Sequence, residues 1–235
     1  LEQSCQAKDI LINKIINTKD TFLFTYRGNP THKKINQFLQ DNGIDYSLLS
    51  GNPHVSRKHF SCFKTWKTFL NGSVSKQQIL DYWPVIGKLV KAHGKGEVDT
   101  LKSLINKDYN IQELIDSGFI KPEAKQFQRF SQVVIKKELI EKTPYINKVL
   151  INGMDTDKTP RVKHDTIHKV KGLTFDNVIV DLSIYRQEPR SFEPVRLAYV
   201  AYSRGKNDCW SIGSSSPSRS SLAGIQNHRR DILEL

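Results

Sequence analysis

Apolar positions change rhythm twice along the chain. LINKIINTKD, within residues 1–20, spaces its apolar residues as an amphipathic helix. TFLFTYR (21–27) is a short aromatic and apolar run and predicts a buried strand, broken by Gly28-Asn29-Pro30. THKKINQFLQDNG then sets Ile35, Phe38 and Leu39 on one helical face, with Gly43 as the stop. IDYSLLSG (44–51) returns to strand character, completing a strand–helix–strand unit of the kind that builds α/β domains. From 52 to 150 the pattern turns helical. Phe60, Phe63 and Trp66 recur at three-residue spacing before Gly72, and Ser75 with Gln78 has capping-box spacing. Pro84 is expected to kink the helix that follows, Asn110 with Glu113 repeats the cap, and a long basic helix is expected over 121–142. After 150 the strand signals return in RVKHDTIH, NVIVDLS and CWSIG. Between the last two, VRLAYVAYSRG predicts a helix burying Leu197, Val200 and Ala201. The Ser-rich stretch 213–224 predicts a loop, and HRRDILEL a docked helical turn. The expectation is an α/β fold, a parallel sheet flanked by helices and interrupted by a mainly helical insertion, divided at 1–51, 52–150 and 151–235.

Composition narrows the partners. The chain has 235 residues and a net charge of +12, a surplus that suits a polyanion such as nucleic acid while leaving an ordinary basic protein equally open. No apolar run approaches the ~18 residues of a membrane span. LEQSCQAKDI carries no signal-peptide pattern. Cys5, Cys62 and Cys209 are odd in number and far apart, which points to reduced thiols and a cytoplasmic location, with no zinc-type spacing.

The stretch 161–180 carries the candidate chemistry. A strand runs into His168-Lys169-Val170-Lys171-Gly172, where two lysines and a histidine flank a glycine turn that favours a positive φ or a close backbone approach. Such a loop suits an anion, and a solvated turn between strands explains it as well. His164 and His168 are four apart, a metal spacing on a helix, but the surrounding pattern is strand and turn, so no metal site is expected. Trp66, Trp83 and Phe127 are available for base stacking, although their helical spacing favours core packing. No G-x-x-x-x-G-K-[ST] is present. Gly94-Lys95 does not qualify, because Leu89 replaces the first glycine and Gly96 follows the lysine.

Two longer strings resemble one family. Thr166-Ile167-His168-Lys169-Val170-Lys171-Gly172-Leu173-Thr174-Phe175 is similar to motif V of UvrD-type superfamily 1 DNA helicases. Arg196-Leu197-Ala198-Tyr199-Val200-Ala201-Tyr202-Ser203-Arg204 is similar to their motif VI, and Phe24-Thr25-Tyr26-Arg27-Gly28-Asn29 resembles an earlier segment of their second motor domain. The resemblance covers about 20–50 and about 160–212. It implies a RecA-like motor domain with a 2B-type insertion, the C-terminal half of an ATP-driven DNA translocase. By resemblance, Arg204 is the catalytic arginine finger, and Lys171, Gly172, Thr174, Arg204 and Arg27 face ATP. Thr166, His168 and Lys169 face single-stranded DNA, and Arg196 makes a structural contact. ATP and Mg²⁺ are held mainly by an N-terminal RecA-like domain of the same protein, and the partners are single-stranded and duplex DNA, in repair or replication. Thr174 stands in place of the family's usual glutamate, and Ser203 and Gly205 replace Thr and Ala. The Ser-Arg-Gly ending also resembles phage helicases, which would place the protein in a host cytoplasm. Val178-Ile179-Val180-Asp181 resembles a magnesium-binding strand end, except that Leu182 replaces the following acid. Without the phosphate loop this chain is expected to hydrolyse no ATP alone. The rival reading is a degenerate, non-catalytic helicase-like module that binds DNA or protein.

Overall fold

The computed structural model describes residues 2–80, 107–127, 132, 137–181, 193–212 and 225–228. The chain divides into two compact units. One comprises Leu1–His54, Ile151–Asp155 and Thr159–Leu235, and the other Val55–Leu150 and Thr156–Lys158.

The first unit is α/β. Helix α1 (Glu2–Asn17) leads to β1 (Phe22–Tyr26), α2 (Asn29–Asp41) and β2 (Tyr46–Leu48). Later come β5 (Val162–Thr166), β6 (Phe175–Asp181), α6 (Glu193–Tyr202), β7 (Gly205–Ile212) and β8 (Ile225–His228). The sheet order is β2-β5-β1-β6-β7-β8. Its first five strands run parallel, and β8 is antiparallel to β7. The anticipated fold class is therefore the observed one, a mostly parallel sheet flanked by helices, consistent with a RecA-like α/β fold.

Side-chain alternation along the strands explains the flanking helices. All five residues of β1 are buried, as expected of a parallel strand covered on both faces. Phe24 meets Phe38 of α2 at 6.0 Å between ring centroids. Leu23, on the other face, joins Val178 and Val180 of β6 and Leu197, Ala198 and Ala201 of α6 in one buried cluster. Ile167 and Val170 complete that cluster from the loop after β5. Removing one such side chain would cost ~2–5 kcal/mol through lost transfer energy and a residual cavity.

The second unit holds α3 (Arg57–Asn71), a two-residue antiparallel pair β3 (Ser73–Val74) and β4 (Tyr109–Asn110), α4 (Ile111–Asp116), a 3₁₀ turn (Pro122–Gln126) and α5 (Lys137–Ile151). Both anticipated capping boxes form. The Asn110 side chain accepts from the Glu113 backbone N–H at 2.9 Å, and Glu113 accepts from that of Asn110 at 2.8 Å. Ser75 and Gln78 exchange the same pair of bonds. Trp66 is 1% exposed and its indole N–H donates to the Phe127 carbonyl, so it is a core residue and not a stacking platform. Trp83, Pro84 and the Gly94-Lys95 segment lie outside the described residues.

One expectation is corrected. The basic helix of 121–142 is instead a short 3₁₀ turn, after which Phe127 turns extended (φ −96°, ψ 102°), followed by the separate helix α5. α5 continues through Pro144, whose missing N–H argues for an earlier stop, because Leu139, Tyr145, Ile146 and Val149 bury one continuous face. At the C-terminal end His228 closes strand β8, and the rest of the expected HRRDILEL turn, 229–235, lies outside the described residues.

Candidate nucleotide and nucleic-acid edges

In a parallel sheet every strand end of one kind falls on the same edge. The register therefore sorts the candidate residues into two groups. Tyr26 pairs with Thr166 where β1 and β5 end, and Phe175 pairs with Gly205 where β6 and β7 begin. The edges are separated by the strand length, roughly 13 Å for five residues at ~3.3 Å per step. The loop 167–174 carries the chain from one edge to the other, crossing over β1.

Thr166, His168 and Lys169 gather at the strand-end edge. Strand β5 stops at Thr166, so His168 lies in the following turn and is exposed. Thr166 is half-buried. Lys169 is 60% exposed and reaches back to Asp165, which is 2% exposed, at 3.3 Å. Asp165 also accepts from the Thr166 backbone N–H at 2.8 Å. Arg27 follows β1 directly and belongs to this edge. The sequence places Arg27 with the nucleotide group. The structure separates it from Arg204 by the length of β1, because an arginine just past a strand end and one just before a strand start cannot share an edge.

Leu173, Thr174 and Arg204 gather at the strand-start edge, with Lys171 and Gly172 in the turn leading to it. Gly172 has φ 80°, and a Cβ there would meet nothing within 4 Å. Of the two reasons for a glycine, the structure shows the positive φ and not a close approach. Lys171, Gly172 and Thr174 are exposed. The Phe175 backbone N–H donates to the Arg204 carbonyl at 2.9 Å, fixing the loop against the end of α6.

Arg204 is half-buried just beyond α6. Its Nε donates to the Val200 carbonyl at 3.1 Å, Nη2 to the Ser203 hydroxyl at 2.8 Å, and Nη1 to the Leu173 carbonyl at 3.5 Å. Among the described residues no carboxylate lies within 4.0 Å of it. A guanidinium oriented by neutral acceptors, with no counter-ion among the described residues, fits the charge and fork geometry of a phosphate. On α6, Arg196 is exposed, Tyr199 is 68% exposed, and Tyr202 packs against the buried cluster. Asp181, at the end of β6, is buried and accepts from Thr31 Oγ1 at 2.7 Å.

A third group was not legible as a unit. His164 is 1% exposed, with ring centroids 5.1 Å from His32, 5.4 Å from Tyr46 and 6.0 Å from Tyr26. His54 stacks on Tyr46 at 5.1 Å. Burial first, then the neighbouring His32, hold His164 down to about 4. Burial pushes both tyrosines up to about 12. His164 is thus a neutral core residue, and the His164/His168 pair is split between core and surface. No group of three or more His, Cys, Asp or Glu positioned to hold a metal occurs among the described residues. Nor does any helix there have the length and apolarity to cross a membrane.

Compared with known proteins, the chain matches no protein-family model and no curated sequence. What the fold and the two edges define is a class, a mostly parallel α/β domain with an arginine held by neutral groups at one sheet edge.

Proposed function

We propose that this chain is the C-terminal motor half of an ATP-dependent superfamily 1 DNA translocase or helicase. It supplies one wall of an ATP cleft and part of a single-stranded DNA track. The observation that carries this reading is Arg204, a half-buried guanidinium with neutral hydrogen-bond partners and, among the described residues, no carboxylate beside it. Charge building on a transferring phosphoryl group is what such a group stabilises. The sorting of residues into two edges supports it, since the motif-like residues expected at nucleotide and at DNA separate along one loop. Arg27 is reassigned here to the DNA side with Thr166, His168 and Lys169. The phosphate loop and the Mg²⁺ ligands would come from another domain. Bound there, Mg²⁺ would neutralise phosphate charge.

The rival reading, a degenerate module for DNA or protein binding, gains from the absence of a phosphate loop in the 235 residues. ATP hydrolysis by the intact protein, with and without single-stranded DNA, separates the two. The motor reading expects hydrolysis stimulated by DNA at least ~10-fold. Absence of any hydrolysis would leave the docking module.

A further inference from the structure

We infer that Ser203 is a positioning residue for Arg204, holding one side of its guanidinium so that the other is presented to phosphate. The inference rests on the reading of Arg204 as phosphate-facing and adds the group that aims it.

The chemistry of three groups, a carbonyl, a hydroxyl and a guanidinium, carries the argument. Helix α6 ends at Tyr202, and its last carbonyls have no partner within the helix. Val200 is one of these, and its carbonyl accepts twice, from Ser203 Oγ at 3.0 Å and from Arg204 Nε at 3.1 Å. A serine hydroxyl has one hydrogen and two lone pairs. Its hydrogen is committed to Val200, so its lone pairs face outward, and Arg204 Nη2 meets them at 2.8 Å and Nε at 3.3 Å. The carbonyl and the hydroxyl thus grip the Nε/Nη2 side of the guanidinium together. The negative end of the α6 dipole favours the cation at that place.

The Nη1 side is left nearly unengaged. Its contact is the Leu173 carbonyl at 3.5 Å, on an exposed path and at the limit of hydrogen-bond length. A guanidinium has five N–H donors in a planar fork, so two held on one side leave donors on the other for a bidentate phosphate contact. An unheld arginine has much rotamer freedom, which it must lose when it engages its target. Ser203 removes part of that loss before substrate arrives, the effect of preorganisation on a transition-state contact. The groups that grip the guanidinium, the Val200 carbonyl and the Ser203 hydroxyl, are neutral, so the grip itself orients the charge without neutralising it.

The test compares Ser203→Ala, Ser203→Thr and Arg204→Ala in the intact protein, measuring kcat and KM for ATP at saturating single-stranded DNA. Ser203→Ala is expected to lower kcat by ~10-fold with KM and DNA affinity within about two-fold, and Ser203→Thr, which keeps the hydroxyl, to restore it. A second readout is the hydrogen exchange of the Arg204 Nε–H by ¹⁵N NMR, which is expected to accelerate in Ser203→Ala. If Ser203→Ala hydrolyses ATP normally while Arg204→Ala does not, the positioning role fails and the finger stands. If both hydrolyse normally, Arg204 is not the phosphate-facing finger, and the inference falls with that assignment. Loss in Ser203→Ala that threonine does not rescue, with a lowered melting temperature, would make Ser203 merely structural and overturn the inference.

Discussion

At the scale of the residue, His164 shows how burial converts into pH dependence. It lies in β5 against the rings of Tyr26, His32 and Tyr46, with the Tyr26 hydroxyl 3.4 Å from its Nδ1. Its pKa is held down to about 4 from 6.5, by burial first, then by His32 and His54, with Asp165 opposing. The two tyrosines stay neutral across this range. Because the folded pKa lies below the unfolded one, the unfolded chain takes up the proton first as pH falls. The contribution of His164 to stability is therefore complete above about pH 6.5 and is lost progressively down to about pH 4, on the order of 3 kcal/mol in all. Urea unfolding at about pH 7.5 and about pH 5 should show the native chain losing more stability than His164→Asn. Equal losses would mean that His164 titrates normally.

At the scale of the element, the start of β7 explains a departure that the sequence could only register. Phe175 pairs with Gly205 but Asn177 with Asp208, so β7 carries one extra residue there, a bulge. A Cβ on Gly205 would stand 2.9 Å from Cys209 Sγ and 3.1 Å from the Asp208 carbonyl. Gly205→Ala should therefore destabilise the protein by ~1–3 kcal/mol, read as a lower thermal midpoint. An unchanged midpoint would contradict the bulge geometry. The same elements mark where sequence was legible. FLFTY and NVIVD are continuous apolar runs that only doubly covered strands require, and the Asn110/Glu113 and Ser75/Gln78 spacings specify their caps. Strand β8, IQNH, has one apolar residue and pairs through its backbone, so no pattern announces it. The extent of β7 into polar Gly205–Asp208 is hidden for the same reason. Helix α5 passes through Pro144 because its buried face outweighs one missing hydrogen bond, a balance that local propensity does not contain. The ring cluster was invisible because His32, Tyr46, His54 and His164 come from separate segments.

At the scale of the whole molecule, the sheet register does what the motif strings could not. The strings name residues, and the register shows which of them share an edge. The resemblance sets Arg27 and Arg204 together as ATP-facing, and only the direction of the strands separates them. The loop 167–174 is the link between edges. Buried at Ile167 and Val170 against α6, it ties the Thr166–Lys169 end to the Leu173–Arg204 end through one packed cluster.

The central claim is that Arg204 faces the transferring phosphate from this side of a cleft. Its most direct test is the single-turnover rate of ATP hydrolysis by Arg204→Ala in the intact protein, bound to single-stranded DNA. The account predicts a loss of ~10³-fold or more, with DNA affinity largely kept. Hydrolysis at a near-normal rate would contradict it.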